Sequence, residues 1–372
     1  MIPLPEWAPN VHPILVHFPI ALLVIAVLFD GAALFLRRRS GVHATAVALF
    51  TLGAVAALAA FLTGRAAADE ILLPAAAQTT LTDHADWATL TVWFYGIFAL
   101  ARLAVLWFNH KGRPWAQGWA QALAFLVGAG GLFLLVQTGD RGAQMVFQYG
   151  VGVQAALQEG LLRHDHDADH DKERENDHEM GADHTMADSL IVRPAVAENG
   201  SWQWTPGPGA REVLEDTFHF PAGSLEDLDT TAGDSSLSLT LRGGAVLFVM
   251  GDTLESIQAD LMLNVEQFDG AVRLVHHVQD PQTYDFLALE DGMIRQGRMS
   301  NGGMDVFEET TQASSGWLAL RLVSDGRHFR GYIGEEMRVH GHGSPPAPGP
   351  VGLRLEGTGT VLLQSINVQS LR

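Results

Sequence analysis

No cysteine occurs in the 372 residues. That absence excludes disulfides, thiolate metal centres, cysteine nucleophiles and cysteine-ligated iron–sulfur clusters, while leaving the compartment open. Basic residues are scarce as well: 23 Lys and Arg stand against 42 Asp and Glu, a formal net charge of −19. Phosphate backbones would be repelled by such a chain, which argues against nucleic acid as a partner and disfavours docking on anionic lipid. No amine-rich segment precedes the first apolar run and no small-residue cleavage site follows it. The run therefore reads as a retained helix, not a signal peptide.

What the chain does have is long apolar stretches, all of them early. Residues 13–36, 42–62, 87–108 and 116–136 are each of membrane-spanning length. Arg37, Arg38 and Arg39 follow the first, and Lys111 and Arg113 the third, whereas residues 65–86 are acidic on balance. The positive-inside rule puts both basic loops in the cytoplasm, with the N-terminus and everything after residue 140 on the outer face. Trp7, Trp87 and Trp93 then mark one interface, and Trp107, Trp115 and Trp119 the other.

Topology gives the histidines a common address. His12 and His17, in His12-Pro13-Ile14-Leu15-Val16-His17-Phe18-Pro19, lie at the outer end of the first span, and His84 at the outer entry of the third; His43 and His110 belong to the opposite surface. Facing helices with imidazoles at matched depth suit a haem b or a divalent metal, although such residues also simply anchor helix ends. Pro19 cannot donate to the carbonyl of Leu15, so a kink is expected beside His17. Asp30 lies seventeen residues past Pro13 and Arg102 eighteen past His84. At about 1.5 Å per residue both stand roughly 26 Å from the outer end, so a structural ion pair between Asp30 and Arg102 is expected. Gly and Ala along the second and fourth spans favour close helix contacts.

The opening motif, with Thr63-Gly64 taken to close the second helix, His84 before the third, and Gly139-Asp140-Arg141-Gly142 and Met145–Val153 after the fourth, resembles the bacterial four-helix membrane proteins catalogued as domain of unknown function 2231. The resemblance covers about the first 155 residues. It implies that the family's histidines map onto His12, His17 and His84 as candidate haem or metal ligands. It also implies that redox domains are common neighbours, but this chain carries no Cys-x-x-Cys-His of its own.

Residues 163–188 alternate His with Asp and Glu and contain almost nothing that can enter a core. A solvated tether is expected, with weak metal binding by His164, His166 and His170 and by the neighbouring His178 and His184.

Past the Pro206-Gly207-Pro208-Gly209 break the period changes to two. Alternating segments at 237–241, 245–250, 256–265, 271–278, 284–290, 293–298, 317–324, 328–333, 351–356 and 360–368 are separated by Gly, Asp, Asn and Pro, the pattern of an antiparallel sandwich. Their order, from Gly270-Ala271-Val272-Arg273 through Gly316-Trp317 and Phe329-Arg330-Gly331-Tyr332 to Gly349-Pro350-Val351-Gly352, resembles a concanavalin-like or laminin-G jelly roll of the 3-keto-disaccharide-hydrolase-like type. Glycosidases of that architecture set paired carboxylates at alternate positions of one strand. No Glu-x-Asp-x-Glu run is found, and His276, His277, His340 and His342 read as strand and loop residues or as a ligand rim.

The fold class expected is a multidomain membrane protein: a four-helix transmembrane bundle (1–155), an acidic His-rich linker (156–200) and an all-β sandwich (201–372). The expected location is a bacterial inner membrane, with the N-terminus and the sandwich on the periplasmic side. Three functions remain. The first is a non-enzymatic accessory subunit that docks on other integral membrane subunits and meets a periplasmic protein through its sandwich. The second is a haem b or metal-binding electron-transfer subunit, and the third a membrane-anchored glycan-binding or glycan-hydrolysing protein.

Overall fold

The computed structural model describes residues 10–35, 40–71, 73–112, 119–151, 191–233 and 236–372. They form two compact units, one built on helices and one on strands.

In the helical unit α1 (His12–Leu15) and α2 (His17–Phe35) make one apolar span with a break at Val16. Pro19 has no N–H for the carbonyl of Leu15, so the helix pauses one turn before the proline. The remaining spans are α3 (Ser40–Glu70), α4 (Ala75–His110) and α5 (Trp119–Phe147). At 31, 36 and 29 residues they outrun the roughly 20 that a bilayer needs. Pro74 starts α4 well ahead of its apolar stretch, its carbonyl accepting from the Ala77 N–H at 2.9 Å, and nothing before residue 110 stops it. Thr63-Gly64 does not close a helix, as expected, but lies within α3, and Gly139–Gly142 lie within α5. The bundle core gathers Leu23, Ala26, Val27, Phe50, Tyr95 and Phe98. A Cβ added at Gly128 would come within 3.0 Å of the Phe50 and Phe98 rings, so α5 can approach only because that side chain is missing.

The second unit opens at Ile191. Its strands are β1 (Ala195–Val196), β2 (Trp202–Trp204), β3 (His219–Ala222), β4 (Leu228–Ala232), β5 (Leu237–Leu241), β6 (Ala245–Leu254) and β7 (Ile257–Asp280). They continue as β8 (Thr283–Glu290), β9 (Met293–Ser300), β10 (Gly303–Thr311), β11 (Trp317–Asp325), β12 (His328–Ile333), β13 (Glu336–His342) and β14 (Gly349–Ser370); α6 (Ala210–Thr217) covers one end. β1 falls inside the stretch expected as linker. Ile191 packs on the core, and Val192 accepts a hydrogen bond from the Trp204 indole at 3.0 Å.

Every strand pairing is antiparallel. The segments expected separately at 256–265 and 271–278 are one strand, β7, and those at 351–356 and 360–368 are β14. The two long strands pair along most of their lengths and turn together where Gly270 faces Gly357. Both glycines have positive φ, and a Cβ on either would stand 2.2 Å from a carbonyl of the other strand, so only glycine lets the ladder bend there. The main core contains Trp202, Trp204, Phe218, Phe248, Leu274, Leu287, Leu353 and Leu355, while a second, smaller core on the other face of β6–β8 holds Leu247, Val249, Val275, Val278, Tyr284, Phe286 and Ala288. Residues 246–250 are therefore buried on both faces, each large side chain contributing about 1.5–3 kcal/mol.

Candidate functional site

Three polar constellations stand out, two in the helical unit and one in the sandwich. At the α1 start, His12 Nδ1 lies 2.9 Å from the carbonyl of Ala60, with the Thr63 hydroxyl 3.4 Å away. On the paired helices α4 and α5, His84 Nδ1 lies 2.9 Å from the carbonyl of Thr138. A carbonyl only accepts, so each Nδ1 carries the proton and each Nε2 is left as a lone-pair nitrogen. Gly64 and Gly142 make room for the rings: an added Cβ would stand 2.8 Å from His12 Cε1 and 3.2 Å from His84 Cε1. The α4–α5 contact is held by Thr91 and Thr138, whose hydroxyls meet at 2.9 Å, and by Arg141 stacked 5.2 Å over Trp87.

His17, past the break at Val16, is exposed. The structure thus presents two of the three expected ligands together and leaves His17 apart. His164, His166 and His170 lie outside the described residues, as do Trp7, Trp115 and the basic residues 37–39 and 113.

Towards the other end of the bundle, Arg102 Nη2 contacts the Asp30 carboxylate with all three of Asp30, Arg102 and His43 buried. His43 Nδ1 is 3.4 Å from the same guanidinium nitrogen. The sequence reading left His43 at the membrane surface. Its position three residues into α3 gave no sign that the ring turns inward.

In the sandwich a polar row crosses β7, β8, β9 and β10. His276 pairs with Asp285, Asp285 with Arg298, and Arg298 with Asp305. Arg298 grips both oxygens of Asp285, at 2.5 and 2.8 Å, and donates to the hydroxyl and carbonyl of Ser344 at 2.7 and 2.9 Å. His277 sits at φ 52°, a left-handed conformation that shifts the register between His276 and Asp280. Consecutive residues normally face opposite ways; this bulge turns both rings to one side, with their Nδ1 atoms 2.5 Å apart. His277 Nε2 donates to the carbonyl of Glu255 at 3.2 Å, so its Nδ1 accepts and His276 Nδ1 donates. Burial drives the His276 imidazole well below its ordinary pKa, with His277 and Arg298 adding to the effect. Burial lowers His277 as well, against the pull of Asp285. Both rings are neutral at pH 7.

Of these residues His277, Asp285 and Arg298 border a cleft of about 160 Å³ walled by Gln279, Tyr284, Met299 and the Pro345-Pro346-Ala347 segment. His276, His277 and Asp285 are close enough together to count as a metal cluster, but they do not suit a cation. The carboxylate oxygens are taken by Arg298, and the two imidazoles spend their facing nitrogens on one another.

The two units define an integral-membrane helical bundle joined to an antiparallel β-sandwich. Residues 8–155 match the family described as predicted membrane protein DUF2231, and no curated protein matches the chain. Solved structures similar to the sandwich include a carbohydrate binding module, CBM66, from Bacillus subtilis (14% identity, 41% of this chain and 96% of that one, TM-score 0.36). A Bacillus licheniformis beta-glucanase has 9% identity over 46% of this chain and 99% of its own, with a TM-score of 0.37. The Caenorhabditis elegans galectin LEC-6 has 13% identity over 40% and 99%, with a TM-score of 0.27.

Proposed function

We propose that the chain is a non-enzymatic membrane subunit: its helices dock on a larger membrane assembly, and its sandwich packs on or recruits a partner at the periplasmic face of a bacterial inner membrane. The observation that carries this reading is the chemistry of the cleft. Asp285, the one carboxylate in its lining, is locked by Arg298, and the lining histidine, His277, is neutral and paired with His276 behind it. Hydrolysis by two carboxylates has no second group there, whereas fixed donors and a proline wall suit recognition. Gly96 and Gly130, with open space where a Cβ would be, support close approach of a partner helix. The basic residues at 37–39, 111 and 113 support the orientation.

Copurification from native membranes tests the proposal. The intact chain should bring down a stoichiometric complex, and Met299→Trp, which fills the cleft, should lose the extramembrane component and keep the membrane one. A chain that purifies alone from gently solubilised membranes would sink it.

A second reading has its own support. His12 and His84, each with Nδ1 spent on a carbonyl, would offer Nε2 to a haem or a metal ion, and His17 would not join them. Such a group would supply one-electron transfer. A Soret band in the purified protein, lost in His84→Ala but kept in His17→Ala, favours this reading; its absence leaves the binding subunit standing.

A further inference from the structure

We propose that His328, His340 and His342 form a site for a divalent transition metal of the zinc class, with three imidazole nitrogens as ligands and the fourth position open. His340 and His342 are two apart on β13 and so share a face, and the register sets His328 of β12 directly across from His342. Ring centroids lie 4.8 Å apart for His328–His342 and His340–His342 and 5.8 Å for His328–His340. One nitrogen from each ring falls within 4.8 Å of the others, and His328 Nδ1 is 3.5 Å from His340 Nε2. Two nitrogens bound to zinc at 2.0–2.1 Å in a tetrahedron are roughly 3.3 Å apart. Closing the triad on an ion therefore takes rotations of the rings and no shift of the strands.

The hairpin is built to hold that face out. In His340-Gly341-His342-Gly343 the glycines occupy the alternate positions, and a Cβ on Gly341 would stand 2.5 Å from Phe307 and one on Gly343 2.9 Å from the same ring. Phe307 thus presses against the glycine face and directs the histidines away from it. The His340 N–H donates to Glu308 at 2.8 Å, tying β13 to β10. Burial falls from His328 through His340 to the exposed His342, which gives an ion a way in and leaves the fourth position to water. Neutral imidazoles favour zinc, copper, nickel or cobalt over magnesium or calcium, and the chain's net charge of −19 raises the local concentration of any cation.

The histidines of residues 163–188 compete for the same ions, so the experiment silences them first. Full-length protein in detergent, with His164, His166, His170, His178 and His184 all replaced by Ser and stripped with chelator, is dialysed against Zn²⁺. One equivalent should bind. His342→Ala, a change at an exposed position, should weaken binding more than about a hundredfold, beyond the roughly 10–100-fold that loss of an outer partner costs, and leave the melting temperature of the zinc-free protein unchanged. Co²⁺ in place of zinc should give four-coordinate visible bands that vanish in His340→Ala. Failure of the linker-silenced protein to bind zinc, or binding unaltered by both His342→Ala and His340→Ala, would overturn the assignment.

Discussion

Each unit sets an arginine against a buried aspartate, and the two pairs are finished differently. In the sandwich, Arg298 meets both oxygens of Asp285, donates twice more to Ser344 and lies over the paired Phe307 and Phe329 rings at 5.7 and 6.0 Å. In the bundle, Arg102 makes one contact with Asp30 and shares that nitrogen with His43. Asp30 Oδ2, Arg102 Nε and Nη1, and His43 Nε2 remain without a hydrogen-bond partner. The same two residue types therefore do different work. The bidentate pair fixes the geometry of three strands and the 344–347 segment, while the monodentate pair offsets two charges that the membrane would otherwise reject.

Removing the arginine from the sandwich should have the largest effect. Arg298→Met leaves a carboxylate with a side-chain exposure of 3% and no cation, which costs about 3–5 kcal/mol. The melting transition of the β-signal in circular dichroism should fall accordingly, and Arg298→Met with Asp285→Leu should recover most of the loss. In the bundle, Arg102→Leu should cost about 2–3 kcal/mol by denaturant titration in mixed micelles, with Asp30→Leu/Arg102→Leu close to wild type. The two double-mutant cycles measure the comparison itself. The coupling between Arg298 and Asp285 should exceed that between Arg102 and Asp30, and equal couplings would mean that the extra hydrogen bonds contribute nothing.

Acid separates the units next. His276 and His277 are held below their ordinary pKa chiefly by burial, so below about pH 6.5 the unfolded chain binds protons that the folded sandwich refuses. Their contribution is whole above that value and is lost as the pH falls from it towards the folded pKa values, at up to about 1.4 kcal/mol per pH unit for each ring. The sandwich melting temperature should therefore drop between pH 7 and pH 5, and the drop should shrink in His276→Asn. A flat profile would mean that the pair is not buried as described.

How much of this was legible in the sequence depends on distance along the chain. The four spans could be read from length and hydropathy, and nearly every core strand from alternation, because those signals are local. β1 to β4 were missed because strands of two to five residues carry too short a pattern, β10 because its residues are mostly exposed and do not alternate, and β13 because Glu336–His342 has few apolar residues. Asp30 and Arg102 could be matched by counting rise along two helices, whereas His43 joins them through a rotation about α3 that counting does not supply. His276 and His277 were read as alternating strand residues, which a bulge at His277 overrides. The importance of His328 depends on the register of the β12–β13 hairpin, which local sequence does not set.

The smallest effects compare the two imidazoles at the His12–His84 end of the bundle. If Gly64 and Gly142 exist to seat those rings, the cost of filling them should follow the space. At Gly64 an added methyl would stand 2.8 Å from His12 Cε1 and 3.1 Å from Nδ1, whereas at Gly142 its nearest neighbour is His84 Cε1 at 3.2 Å. Gly64→Ala should cost about 1–2 kcal/mol as an overpacking change, and Gly142→Ala under about 1. Stability alone would not distinguish a seat for the ring from ordinary helix packing. The ¹⁵N resonances of the two histidines do. In the wild type both should show the Nδ1–H tautomer, set by the carbonyls of Ala60 and Thr138. Gly64→Ala should release His12 into a mixture of tautomers and leave His84 unchanged, and Gly142→Ala should disturb only His84, and less. Should the His12 tautomer survive Gly64→Ala, the glycine serves the packing of α3 and not the ring.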